Sequence, residues 1–392
     1  MRTGLDALAE RDFAELRGRR VVVLSNPTGV MVREGRVLHG VDAMVAAGVE
    51  VVGVFGPEHG FRGTATAGES EADAFDPVTS VPLLDAYHAG PEHLAEALVR
   101  LGAHVVVVDL QDAGVRFYTY VWTMYRLMMA VARVPAVAML VLDRPNPLGR
   151  ARRGGLLAPG LESSIGRRSI LHQHGLTLGE LARVLNAHHL PEEPGGTSID
   201  LSVVPVEGWD GSARSSGAPG WPLWVAPSPN LPTVESCLAY PGTGLLEAVT
   251  LSEGRGTTRP FTLLAAPWVD DRWLARLDEG RHPGALLREA AFEPLAVPHF
   301  ETHAGRLCRG VEVHVTDPDE FDAVRFGVDL LTSARDLYPE LTHRGDQWRW
   351  LDLMTGRRQF ARDLLAGAGT DDLLGGWLPD QRAWDEQVGS LR

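Results

Sequence analysis

Three apolar runs in the first half of this chain each run straight into a carboxylate: Val51-Val-Gly-Val-Phe-Gly-Pro-Glu58-His59-Gly60, Val105-Val-Val-Val-Asp109-Leu-Gln111-Asp112 and Met139-Leu-Val-Leu-Asp143-Arg144-Pro145-Asn146-Pro147. They alternate with segments of helical spacing, which calls for a parallel, doubly wound sheet. In such a sheet the ligand crevice opens beyond the carboxyl ends of the strands, so acids repeated there point to one shared site.

Strand-like 21–24 is followed by helical spacing over 41–48 and a strand over 49–55. Helix 91–101 with proline in its first turn leads into strand 103–109, and a long apolar helix over 118–134 into strand 139–142. Thr177-Leu-Gly-Glu180 reads as a capping box opening a helix to 188. A Gly/Pro/Ser-rich stretch, 192–232, carries Trp209, Trp221 and Trp224, so it reads as a packed connection bordering the cleft. Beyond Ser236 the pattern changes, with strands at 261–267 and 310–316 and helices near 270–279, 319–337 and 357–365. The expected architecture is α/β: a Rossmann-like, mostly parallel sheet over 1–235, with a smaller α+β domain over 236–392 closing the cleft.

Composition excludes several classes. A net charge of -14 with no basic run repels polyanions, so nucleic acid is not an expected partner. The chain has no lysine, and its 37 basic residues are all arginine. Schiff-base aldolases, pyridoxal enzymes and the phosphate-binding P-loop all need a lysine amine, and Ser25-Asn26-Pro27-Thr28-Gly29 after the first strand is not a dinucleotide fingerprint. No cofactor is expected. Cys237 and Cys308 lack metal or redox spacing and read as buried thiols. His172-Gln173-His174 has no acid or cysteine at ligand spacing, so no metal is expected. The opening residues are charged where a signal peptide needs an apolar core, and no run of about 18 apolar residues follows. A cytosolic location without a membrane partner is the expectation.

Glu58 sits in Gly56-Pro-Glu58-His59-Gly60, a tight turn that can screen one side of a carboxylate from water and so suit it to general acid work; the competing reading is a turn-stabilising glutamate. His59 is placed to orient it. In Asp109-Leu-Gln111-Asp112-Ala-Gly-Val-Arg116-Phe-Tyr118-Thr-Tyr120, Arg116 can fork a substrate carboxylate and Tyr118 offers a hydroxyl and a ring face, unless Asp112 and Arg116 merely fasten the loop. Asp143 is a site candidate or a helix cap. Asn230 lies between prolines, and Glu253, in Leu251-Ser-Glu253-Gly-Arg255-Gly-Thr-Thr-Arg259, is a second carboxylate for a hydrolase pair or a partner of Arg255 or Arg259.

Together, Gly-Pro-Glu58-His59-Gly-Phe-Arg62-Gly, the Asp109 to Tyr120 segment, Leu-Asp143-Arg144-Pro-Asn146-Pro, Pro-Ser-Pro-Asn230-Leu-Pro-Thr and Leu-Ser-Glu253-Gly-Arg255-Gly-Thr resemble one bacterial family, the exo-β-N-acetylmuramidases of the NamZ type. The likeness extends from Leu24-Ser-Asn26-Pro-Thr-Gly29 to His314-Val-Thr-Asp317. It implies a Rossmann-like domain, a smaller second domain, and removal of N-acetylmuramic acid from the non-reducing end of peptidoglycan glycans. The implied partner is a peptidoglycan-derived disaccharide or muropeptide. On this reading Glu58 is the general acid, with His59 orienting it or binding substrate, and the second function falls to Asp112, Glu253 or Asp143, or to the substrate's own 2-acetamido oxygen. Asn26, Arg62, Gln111, Arg116, Tyr118, Asp143, Arg144, Asn146, His174, Asn230, Arg255 and Arg259 are the substrate-binding candidates. One position departs: Gln173 precedes His174 where the family is expected to have arginine. Arg62, Arg116, Arg144, Arg255 and Arg259 then stand as candidates for the lactyl carboxylate.

Overall fold

The computed structural model describes residues 1–215, 219–345 and 348–389 of the chain. In chain order it has helix α1 (Gly4–Glu10), strand β1 (Arg20–Ser25), the hairpin β2 (Val30–Arg33) and β3 (Arg36–His39), α2 (Gly40–Ala46) and β4 (Glu50–Gly56). Then come β5 (Ala74–Phe75), β6 (Pro82–Asp85), α3 (Pro91–Arg100), β7 (Val105–Asp109), α4 (Tyr120–Ala132) and β8 (Ala138–Leu142). The pair β9 (Arg153–Leu156) and β10 (Leu171–Gln173), helix α5 (Leu178–Val184) and β11 (Leu201–Val204) complete the first part.

The main sheet runs β11-β8-β7-β1-β4-β6-β5, parallel throughout except for the short edge strand β5. The chain winds outward from β1 through β4 to β6, then crosses back to β7 and continues to β11. The order reverses between β1 and β7, and that switch point opens a crevice at the carboxyl ends. Successive residues point to opposite faces: Val22, Leu24, Val106 and Val108 enter one core, while Val21, Val23, Val105 and Val107 enter the other. Burial on both faces explains why these strands read as unbroken apolar runs. Helix α4 covers the first face and is buried from Tyr120 to Val131.

Further on, α6 (Val234–Thr243), β12 (Leu263–Ala266), α7 (Asp271–Gly280), β13 (Ala285–Phe292), β14 (Cys308–Val315) and α8 (Ala323–Leu337) follow, the three strands forming an antiparallel sheet ordered β12-β14-β13. Helices α6 and α8 cross with backbones touching: a Cβ on Gly242 would lie 1.7 Å from the Ala323 carbonyl oxygen, so the crossing requires glycine. The larger apolar core continues from Val106 and Trp122 through Leu238 and Val324 to Trp384. Strand β13, made of good helix formers, is a strand because eight of its residues pair with β14. The tryptophan-bearing stretch is packed as expected over its described residues, with Arg150 over Trp209 at 4.3 Å and Arg214 over Trp221 and Trp224; 216–218 lie outside the described residues. Among the described residues no helix is long and apolar enough to cross a membrane. Both cysteines are buried and free.

Candidate active site

The turn after β4 carries Glu58 into a cleft of about 320 Å³. Its other walls are Tyr87, Phe117, Tyr118 and Thr119 from the sheet side, and Ser228, Tyr240, Glu247, Arg255, Phe300 and Trp350 from beyond residue 225. Glu58 Oε1 accepts the Gly68 N–H at 2.7 Å, and Oε2 is 2.6 Å from the Thr119 hydroxyl. Thr119 is the residue before α4, yet its side chain makes no capping bond and is turned to Glu58 instead. A hydroxyl both donates and accepts, so this bond serves a carboxylate or a protonated carboxyl.

His59 adopts φ +72° and Gly60 φ +78°, the left-handed pair that reverses the chain beside Glu58. The His59 N–H donates to Glu69 O, and its ring Nδ1 donates to Ala65 O at 3.2 Å, tying the loop to itself. Burial lowers the imidazole pKa, against the pull of Glu58, so the ring is neutral near pH 7. Burial, with Glu58 adding its charge, pushes the Tyr87 hydroxyl up to about 12.

On the far wall runs a chain of charges. Arg255 donates to Glu247 at 2.8 Å and to Glu253 at 3.0 Å, and Arg344 donates to the other oxygen of Glu253 at 2.7 Å. The Arg255 guanidinium also lies 3.8 Å from the Phe300 ring centroid. Burial opposes the charge on Arg255, but Glu247 and Glu253 outweigh it and raise its pKa. Burial likewise opposes charge on Glu253, but Arg344 and Arg255 hold its carboxyl below the usual range. In Glu247 burial wins over Arg255 and the carboxyl is raised.

Of the residues expected at the site, Glu58, His59, Tyr118 and Arg255 line this cleft. The others are placed differently, for identifiable reasons. Glu253 is buried with both oxygens ion-paired, so it is no free second carboxylate. Arg116 is fully buried beneath the cleft, donating to the carbonyls of Gly155, Ile170 and Met354, and cannot fork a substrate carboxylate. Asp112 accepts the Gly114 N–H and lies 3.4 Å from His174 Nε2, whose ring accepts the Leu176 N–H on its other nitrogen. It therefore pairs with His174 and not with Arg116. Arg144 is locked to Asp109 at 2.6 Å. Asp143 accepts from the Thr177 hydroxyl and the Gly179 N–H, capping the start of α5. Asn146 bridges Leu176 O and the Leu148 N–H, and Gln111 donates to Asp112 O and Pro145 O. Arg62 is held by Asp42 and Asp76, and Arg259 by Glu312. Asn26 is buried at the end of β1, its oxygen accepting from Thr28. Asn230 lies on the loop that brings Ser228 to the cleft, its N–H donating to the Ser228 hydroxyl.

Sequence reading missed Thr119, Tyr240 and Glu247 as cleft residues. The signal for Glu247 was present: an acid inside Leu245-Leu246-Glu247-Ala248-Val249 cannot be buried without a partner, and Arg255 follows eight residues on. A roomier hollow of about 520 Å³ lies elsewhere, around Asp210, Trp221, Asp317 and Asp319. Asp210 accepts the Ser212 N–H and Asp317 the Asp319 N–H within their own turns, and Asp319 accepts the Ala213 N–H and ties the two loops together, so these carboxylates serve the loop structure. Among the described residues no cluster of histidine, cysteine or acid side chains has the grouping of a metal site.

Residues 21–235 match the N-terminal model, and residues 238–391 the C-terminal model, of the family described as Exo-beta-N-acetylmuramidase NamZ. The chain belongs to this NamZ family. Membership makes it a glycoside hydrolase. Peptidoglycan beta-N-acetylmuramidase NamZ from Bacillus subtilis (strain 168) is 38% identical over 344 residues, 87% of this chain and 78% of that protein. The crystal structure of a DUF1343 family protein from Bacteroides fragilis NCTC 9343 superimposes with a TM-score of 0.86 at 28% identity, covering 100% of this chain and 98% of that one. A second DUF1343 protein from the same organism gives a TM-score of 0.74 at 26% identity, covering 99% and 97%. The fold of these two DUF1343 family proteins thus extends across essentially the whole chain.

Proposed function

We propose that the protein is an exo-β-N-acetylmuramidase that releases N-acetylmuramic acid from the non-reducing end of peptidoglycan fragments, cleaving the β-1,4 bond to N-acetylglucosamine. The observation that carries this reading is Glu58: a carboxyl at a strand end, held by Gly68 and Thr119, facing a cleft walled by aromatic rings. Glu58 protonates the leaving oxygen as the bond to C1 breaks, and the rings of Tyr118, Tyr240 and Trp350 offer faces to the sugar. At about 320 Å³ the cleft is at the small end of ligand sites, which suits a terminal residue better than the interior of a glycan strand. Arg255 is the member of the five arginine candidates that lines the cleft, and it is assigned to the lactyl carboxylate that distinguishes muramic acid from glucosamine.

The test is release of 4-nitrophenol from its β-glycosides of N-acetylmuramic acid and N-acetylglucosamine, measured side by side with the MurNAc-GlcNAc disaccharide. Turnover of the muramic acid glycoside and the disaccharide, with the glucosamine glycoside slow, is the expected result. Equal rates on the two glycosides contradict the muramic preference, and no release from any of the three rejects the activity.

A further inference from the structure

The glycosidase reading leaves the second catalytic group open, and the assignment of that group rests on the same reading. Three carboxylates line the cleft: Glu58, Glu69 and Glu247. Glu69 is more than half exposed and lies 3.6 Å from the exposed ring of His299 at the mouth, where water screens it. Glu253, the sequence candidate, is absent from the wall and doubly ion-paired.

We propose that Glu247 is the second catalytic carboxylate, accepting a proton from the group that attacks C1 while Glu58 gives one to the leaving oxygen. Glu247 stands on the single turn Gly244–Ala248 that continues α6, and its side chain is only 12% exposed. Oε1 is fixed by Arg255 at 2.8 Å, whereas Oε2 has no protein donor among the described residues. One oxygen anchors the carboxylate and the other is free for a reacting group. Tyr240 ties the two acids to one place: its hydroxyl is raised first by burial, then by Glu247, with Glu58 adding in the same direction. Both carboxylates thus act on one cleft-lining ring from different parts of the chain. Burial also makes Glu247 a stronger base than an exposed glutamate, as a proton acceptor needs.

The step balances. The attacking oxygen, from water or from the sugar's own 2-acetamido group, bonds to C1. The bond from C1 to the leaving oxygen breaks and its electron pair stays on that oxygen. The leaving oxygen takes the Glu58 proton, and the O–H or N–H proton of the attacking group passes to Glu247 Oε2. Glu58 ends ionised, Glu247 ends protonated, and net charge is conserved.

Leaving-group dependence separates the two roles. 4-Nitrophenolate departs with little acid assistance, whereas the sugar oxygen of the disaccharide needs it. Glu58→Gln should therefore lose far more kcat on the disaccharide than on the nitrophenyl glycoside. Glu247→Gln should lose about 10²–10⁴-fold on both alike, the range for one proton transfer. Wild-type kcat in Glu247→Gln, or a loss confined to the disaccharide, overturns the assignment. Should that variant fail to fold, Glu247→Asp keeps the charge beside Arg255 and withdraws the carboxylate by one methylene. A loss of kcat of about tenfold or more with an unchanged thermal midpoint supports the role, and full kcat rejects it. Wild-type protein inert on every substrate sinks the glycosidase reading itself, a result distinct from failure of Glu247 alone.

Discussion

The end of β4 and the ends of β7 and β8 share one local pattern, an apolar strand closed by a carboxylate, yet they do opposite jobs. At β7 and β8 the acids turn inward: Asp109 meets Arg144 at 2.6 Å, and Asp143 takes the Thr177 hydroxyl at 2.6 Å and the Gly179 N–H at 2.8 Å. At β4 the next segment is the loop around Gly68, which supplies one N–H, and Thr119 supplies one hydroxyl, leaving Glu58 half-buried on the cleft wall. An acid at a strand end becomes scaffold when a cation or a helix start is folded onto it. It remains available for chemistry when only neutral donors hold it. Away from the strand ends the difference is one of degree: Glu253 has both oxygens taken by arginines, whereas Arg255 takes a single oxygen of Glu247.

Neutralising one acid of each kind should affect catalysis in one case and folding in the other. Glu58→Gln should lower kcat on the disaccharide about 10²–10⁴-fold while chemical denaturation shows stability within about 1 kcal/mol of wild type. A large loss of stability would make Glu58 scaffold as well. Asp109→Ala should do the reverse at the fold: it strands a buried guanidinium at Arg144 and should cost about 3–5 kcal/mol in urea unfolding.

Asp143 gives the comparison a pH signature. Burial, against its hydrogen bonds, raises its carboxyl to about 6, above the unfolded value near 4. The folded state then holds the proton more tightly, so this group's stabilisation is full below about pH 4 and is lost as pH rises through 6. Wild type should lose roughly 3 kcal/mol relative to Asp143→Asn across that window. A pH-independent difference between the two would show that the cap works as well charged as neutral. The smallest effect belongs to Thr119→Val, which removes one hydrogen bond to Glu58. A loss of about 1.5–3 kcal/mol predicts kcat/KM down about ten- to a hundredfold, with unfolding nearly unchanged.

Much of the fold was readable because its signals are local. Thr177 and Glu180 form the capping box their spacing announced, α3 starts at Pro91, and the apolar runs 105–108 and 139–142 are strands. Strand β13 was not readable, since Ala-Leu-Leu-Arg-Glu-Ala-Ala-Phe favours a helix until β14 pairs with it. Of the residues lining the candidate cleft, Glu58, His59, Tyr118 and Arg255 were legible from their position after a strand or within a glycine-rich loop. Arg116 was misread because its motif is polar and aromatic, while its three acceptors are carbonyls from residues 39, 54 and 238 positions away.

By itself the sequence determined the alternation of strands and helices, the family, and the list of acids at the strand ends, because periodicity, turn residues and motifs act over a few neighbours. Only the tertiary structure decided which acids stay open. Thr119 reaches Glu58 across 61 residues and Arg344 reaches Glu253 across 91. Whether a carboxylate is solvated, capped or ion-paired depends on groups brought to it by the fold, and no spacing rule carries that information.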